Sequence, residues 1–215
     1  MLFLDRRDAG THLARALEPY RKDHPVIIGL PRGGVPVADE IARALDAPLD
    51  IIVARKIGAP FQPEYALGAI APGARVLRDE EIRALGIRED EIERTIAVET
   101  KEMERREKLY RAGRPPLAVE GRTVILVDDG LATGATARAA LASLRTRKPG
   151  RLIFAAPVGA PDSVRALRAI ADEVVCLYTP EDFRAVGLHY REFEPTSDAE
   201  VLACLERAAA TPSKS

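Results

Sequence analysis

The stretch VILVDDGLATGAT, Val124 to Thr136, sets two adjacent acids between an apolar run and a loop of glycines and hydroxyls. Gly130 and Gly134 let the backbone turn closely, Thr133 and Thr136 offer hydroxyls, and a helix-like pattern follows. A helix entered from such a loop presents free N–H groups and the positive end of its dipole, which together favour a phosphate. That phosphate would repel Asp128 and Asp129 unless the acids serve another group. Ionised carboxylates only accept hydrogen bonds, so their natural partners are hydroxyl donors such as a vicinal sugar diol, or a cation. Diol and phosphate at this spacing describe a ribose 5-phosphate.

Two further segments supply basic groups. PRGG, Pro31 to Gly34, joins the Arg32 guanidinium to a backbone that can turn its N–H groups on a ligand at Gly33 and Gly34. Arg55 and Lys56 add charge after the next apolar run. A second anion site beside a ribose site suits a sugar with phosphate at one end and diphosphate at the other. Magnesium is then expected as the cofactor, held mainly by ligand oxygens and water, because this ion rarely sits in an all-protein cage. VILVDD also resembles a Walker B strand, but the G-x-x-x-x-G-K-[ST] partner of nucleoside triphosphatases is missing, as is the G-x-G-x-x-G dinucleotide fingerprint. PRGG alone is more often a simple turn than an anion cradle, and RK alone is usually a solvated pair.

The elements around these segments alternate in type. DRRDAGTHLARALEPY has Asp5 as N-cap and puts Ala9, Leu13, Ala16, Leu17 and Tyr20 on one helical face. VIIGL is an uninterrupted β-rich run of the kind buried on both sides of a parallel sheet. After PRGG, Val37, Ile41 and Leu45 recur at helical spacing behind Pro36. DIIVA is the second predicted strand, and RKIGAPFQPEYALG, rich in glycine and proline, reads as a loop. LGAIAPGARVLR predicts two short strands about a PG turn, Asp79 a cap for a helix ending at Gly86, and Arg88 to Arg111 a long charged helix. The strand TVILV leads into the DDG motif, a helix runs from Gly134 to about Arg147, and RLIFAAPV and EVVCLY flank a helix starting near Pro161. Ser197 and Glu200 form a capping box for a last helix, and TPSKS reads as a disordered tail at 211–215. The fold class expected is α/β: a mostly parallel open sheet flanked by helices, forming one domain over 1–210. In such sheets ligands lie outside the carboxyl ends of the strands, where PRGG, RK and DDGLATGAT all compete for place.

Composition narrows the partners. The 215 residues are 47% hydrophobic and 30% charged, with a formal charge of -1, which gives no reason to expect nucleic acid or membrane. The apolar run in MLFLDRR is too short for a signal peptide, so a cytoplasmic location is expected. Cys176 and Cys204 stand alone in apolar surroundings and read as buried thiols, and the 3 histidines are scattered, so no protein-bound metal is expected.

VILVDDGLATGAT resembles the phosphoribosyl diphosphate (PRPP) signature of the type I phosphoribosyltransferases, and GLPRGG and ARK are similar to that family's diphosphate loop and its basic position after the second strand. The resemblance covers roughly Val26 to Tyr178 as core. It implies that Asp128 and Asp129 hold the ribose hydroxyls as the catalytic acids. The loop Gly130, Ala132, Thr133, Gly134, Ala135 and Thr136 would wrap the 5-phosphate, while Arg32, Gly33, Gly34 and Lys56 would meet the diphosphate. The reaction implied is displacement of diphosphate by a nitrogen nucleophile, usually in a nucleobase, with magnesium assisting departure. The partners implied are PRPP and a small-molecule acceptor, with a homodimer among the open expectations.

Where 6-oxopurine-using members carry an aspartate close to the purine, this chain has Ala132, which disfavours those bases and leaves the acceptor open. Family members also close a mobile loop before the signature strand; here the charged helix stands there, and a solvated or dimer-contact face is a better account of it than ligand contact by Arg105 or Arg106. Acceptor specificity in the family comes from a small variable hood. Its candidates are YTPEDF with Tyr178 and Phe183, HYREF with His189 and Tyr190, and the N-terminal helix. The alternative to an enzyme is a PRPP or ribose-5-phosphate sensor without turnover.

Overall fold

The strand candidates with unbroken apolar runs assemble into one parallel sheet. In the computed structural model, which describes residues 2–210, β1 (Val26–Gly29), β2 (Leu49–Ile51), β6 (Thr123–Val127), β7 (Arg151–Val158) and β8 (Glu173–Tyr178) form a 5-stranded sheet in the order β2-β1-β6-β7-β8. Every pairing is parallel, with Gly29 opposite both Ile51 and Val127. Alternate side chains serve opposite faces. Val26, Ile28, Val124 and Leu126 pack with Ala137, Leu141 and Leu144 of α5 (Ala135–Thr146) and Leu167 of α6 (Pro161–Leu167). Ile27, Ile125 and Val127 pack with Leu13 and Leu17 of α1 (Arg6–Leu17) and Ile41 and Leu45 of α2 (Gly34–Leu45). Burial on both faces is what an uninterrupted apolar run requires.

Asp5 caps α1 as expected, its carboxylate accepting from the Asp8 N–H at 2.8 Å. The buried stripe of that helix differs from expectation: Gly10 and Ala14 face the core and Ala16 is exposed. The second strand is shorter than DIIVA and ends at Ile51.

The stretch expected as a loop is instead a hairpin. β3 (Arg55–Ala59) pairs antiparallel with β4 (Gln62–Ala71), which pairs in turn with β5 (Ala74–Leu77) across the expected PG turn. Glycine and proline read as breakers, but the register shifts about Gly58 absorb them, as a bulge does at the edge of a small sheet. The hairpin sheet is covered by α4 (Glu89–Arg111), through Ile57, Leu67, Met103 and Tyr110, and by α5, through Ala69, Ala71, Ala135 and Ala139, while α7 (Asp198–Ala210) packs on α2, α4 and β2. In the short helix α3 (Asp79–Ala84), Asp79 is the first helical residue and Arg78 the cap position, a shift of one from expectation. Ser197 Oγ accepts from the Glu200 N–H at 3.1 Å ahead of α7.

Cys204 is buried in the apolar cluster with Tyr110, Val201 and Leu205, as expected, and also borders an ionic group. Its Sγ lies 3.2 Å from Arg207 Nη2, and both Arg207 and Arg7 reach the buried Asp39 of α2. The expectation for 211–215 lies outside the described residues. Among the described residues no helix is long and apolar enough to cross a membrane.

Candidate functional site

From β1 the chain steps to β2 on one side and later returns to β6 on the other. The crevice of an open α/β sheet opens at such a switch of direction, outside the carboxyl ends of the strands. The loops after β1 and β6 therefore lie side by side there, and Leu30 N–H donates to Val127 O at 2.9 Å. The peptide joining Pro31 to Arg32 is cis.

PRGG approaches the acids closely enough to demand glycine. A Cβ on Gly34 would lie 2.6 Å from Val127 O and 2.9 Å from Asp128 Cα, and one on Gly33 would overlap the Asp129 carboxylate. Because the two nearest atoms are backbone at the end of β6, nothing flexible can yield. Gly34→Ala is expected to cost about 1–3 kcal/mol through forced displacement. A thermal melt checks this, with a fall of about 2–4 °C per kcal/mol for a chain of this size; an unchanged melting temperature would contradict the close approach.

The loop after β6 ends in a helix start suited to an anion. Leu131 is tied to the sheet edge, its N–H donating to Val158 O at 2.9 Å while its carbonyl accepts from Ala160 N–H at 2.8 Å. Gly134 follows at φ 70°, a left-handed conformation that a side chain disfavours. The first link into α5 runs from Arg138 N–H to Gly134 O at 2.9 Å, so the amides of Ala135, Thr136 and Ala137 have no partner within the helix. No acidic residue occupies the first turn of α5. Ala132 and Thr133 are exposed at the loop tip and Thr136 is half-buried.

The acids are less ordinary than their sequence suggests. Burial holds the Asp128 carboxyl well above the usual carboxylate range, with the neighbouring charge of Asp129 adding to the effect. Asp128 Oδ1 accepts the Asp129 N–H at 2.9 Å. Burial raises Asp129 too, against the pull of Arg6, whose Nε lies 2.8 Å from Asp129 Oδ2. Arg6 is the first residue of α1, placed by the Asp5 cap, and sequence reasoning missed it: nothing in DRRD marks one arginine as bound for a site far along the chain. Its guanidinium carbon stands 4.0 Å above the Phe193 ring, and Nη1 donates to Glu194 O at 2.8 Å. Tyr190, expected as a hood aromatic, donates its hydroxyl to Asp129 O at 2.6 Å.

Other expected members stand further out. Arg32 is partly exposed, with Nη1 3.8 Å from Asp198 Oδ1 at the start of α7. Lys56 turns its Nζ to Glu64 of the hairpin at 2.8 Å. Arg105 and Arg106 both pair with Glu102 of their own helix at 2.7 and 2.6 Å. Tyr178 and Phe183 pack around His189, while Phe3 and Tyr190 join the two ends of the chain through a bridge. Val186 fills the space beside Gly130.

A family model described as phosphoribosyl transferase domain matches residues 5–192. A Mycobacterium tuberculosis protein with a provisional phosphoribosyl transferase name is 47% identical over 208 residues, covering 96% of this chain and 47% of that protein. The chain thus spans about half the length of the curated relatives it matches. A crystal structure of TT1426 from Thermus thermophilus is similar at 46% identity and TM-score 0.81, covering 96% of this chain and 99% of that one. A hypoxanthine phosphoribosyltransferase structure from Staphylococcus aureus shares the fold at TM-score 0.50 and 16% identity, covering 90% and 85% of the two chains.

Proposed function

We propose that this chain, which belongs to the phosphoribosyl transferase family, binds PRPP and transfers its 5-phosphoribosyl group to a nitrogen nucleophile of a small molecule. A nucleobase is the acceptor class the family suggests. The observation that carries the reading is the pairing, at one switch point of the sheet, of an anion-accepting helix start with two half-buried acids. The amides of Ala135 and Thr136 and the Thr133 and Thr136 hydroxyls take the 5-phosphate, and Asp128 and Asp129 accept from the ribose hydroxyls. Gly33 and Gly34 bring backbone against the same acids, and Arg32 and Lys56 attract the diphosphate once drawn from Asp198 and Glu64.

In the reaction the anomeric C–O bond to diphosphate breaks, a C–N bond to the acceptor forms, and the nitrogen gives up its proton to water. Positive charge grows on the ribose as diphosphate leaves, so acids beside the sugar and basic groups at the leaving end stabilise opposite charges. Among the described residues no group of three or more His, Cys, Asp or Glu stands together as metal ligands, and this ion is usually held by ligand phosphates and water with one or two carboxylates at most. Magnesium enters this reading only as part of the substrate, as magnesium-PRPP.

One observation favours a second reading, a PRPP or ribose-5-phosphate sensor. Position 132 at the loop tip is an exposed alanine, with no carboxylate there to receive an acceptor's proton. The two readings separate when the protein is incubated with magnesium-PRPP and a panel of bases while diphosphate release is followed. Release with one base and not the others supports the transferase; saturable PRPP binding with no release supports the sensor. Under both, Thr133→Val removes a phosphate contact and is expected to weaken PRPP binding roughly tenfold, within the range for a hydrogen bond to a charged group. Equal affinity on calorimetry would remove Thr133 from the phosphate site.

A further inference from the structure

The start of α1 reaches into the acid pair. Arg6 has three partners: Asp129 Oδ2 at 2.8 Å, the Glu194 carbonyl at 2.8 Å, and the Phe193 ring at 4.0 Å. Its side chain is only 12% exposed and that of Asp129 16%. Such a contact differs from a surface ion pair, because the guanidinium is fixed on three sides and little freedom is left to lose when a ligand binds. We propose that Arg6 is the positioning residue of the sugar site, neutralising and aiming the Asp129 carboxylate so that its remaining lone pairs accept from the hydroxyls of a phosphorylated pentose. The inference rests on the reading of the acid pair as a diol site.

The charged and titratable groups around Asp129 are few. Asp128 precedes it, Arg6 comes from the start of α1, and Tyr190, itself near Asp5, reaches its carbonyl from the C-terminal segment. From the PRGG loop only glycine touches it, since Arg32 turns to Asp198. Among the described residues Arg6 is thus the cation set against the desolvation of two adjacent carboxylates. Without it Asp129 retains a proton more readily, and a protonated acid is a poorer acceptor for a sugar hydroxyl than a carboxylate. The Nε contact is made to Asp129 Oδ2 alone, and the Phe193 stack keeps the guanidinium from swinging away.

The test is calorimetric titration of the full chain with ribose 5-phosphate, 2-deoxyribose 5-phosphate and inorganic phosphate, for the wild type, Arg6→Gln and Arg6→Lys. Arg6→Gln is expected to weaken ribose 5-phosphate about tenfold or more, to weaken the deoxy sugar less, and to leave inorganic phosphate unchanged. Arg6→Lys should recover part of the loss by returning the charge without the fork. Unchanged or tighter ribose 5-phosphate binding by Arg6→Gln overturns the proposal, as does an equal loss for inorganic phosphate, which would make Arg6 a prop for the fold alone. A wild type that binds ribose 5-phosphate no better than inorganic phosphate would remove the diol reading itself, and this inference with it.

Discussion

Asp50→Ala is expected to lower the unfolding free energy by about 3–5 kcal/mol, the usual result of stripping one partner from a buried ion pair. Asp50, at the second position of β2, is 8% exposed and Arg111, at the end of α4, is 9%. Arg111 Nη1 donates to both carboxylate oxygens at 2.8 and 3.1 Å, and the Leu117 and Ile51 N–H groups donate to them at 2.8 Å each. Nη2 adds a bond to Ile51 O at 2.9 Å, and Nε reaches Glu107 at 3.2 Å. This cluster fastens the charged helix to the parallel sheet where the apolar stripe of the helix is thin. Removing the carboxylate leaves a buried cation and an orphaned Leu117 amide, a large share of a typical total stability of about 5–15 kcal/mol. Urea unfolding of the purified variant measures it. A loss under about 1 kcal/mol would place the pair with exposed bridges that contribute little.

Asp128→Asn is expected to act in opposite directions on binding and stability. The amide oxygen can still accept the Asp129 N–H, so the loop keeps its form. A hydroxyl bonded to a charged acceptor is worth about 1.5–3 kcal/mol, so ribose 5-phosphate binding should weaken about 10- to 100-fold. Stability should rise. Burial and the charge of Asp129 raise the folded-state pKa of Asp128 above its unfolded value. The stabilisation linked to its proton is therefore complete below the ordinary carboxylate value of about 4 and is lost as pH rises through the raised folded value. Above that window the wild type carries a cost that asparagine does not. Relief of functional strain commonly gives about 0.5–2 kcal/mol, or roughly 2–4 °C of melting temperature per kcal/mol. Melts across pH check the sign: the gain of the variant should shrink on acidification. A variant less stable than wild type at neutral pH would refute the desolvation account, and one binding the sugar phosphate equally well would refute the diol role.

Much of the fold was legible because its signals are local. An apolar run of four or five residues must be buried on both sides, and Gly134 before a helical pattern announces a turn that only glycine makes easily. The hairpin β3–β4 was not legible, because glycine and proline interrupt it and its pairing is supplied by residues along β4 and by the cover of α4. The acid pair could be read from VILVDD, but its electrostatic state could not. That depends on burial and on Arg6, 123 positions away in the chain.

Types and spacing along the chain determined the parallel sheet, the glycine turn and the two acids beside an anion-accepting helix start, since each follows from periodicity or from the needs of one residue in one conformation. Tertiary structure alone decided that Arg6, Phe193 and Tyr190 gather about Asp129, that Lys56 turns to Glu64, and that Arg111 joins Asp50. Partners of a buried charge are chosen by which distant segments pack beside it, and no local pattern records that choice.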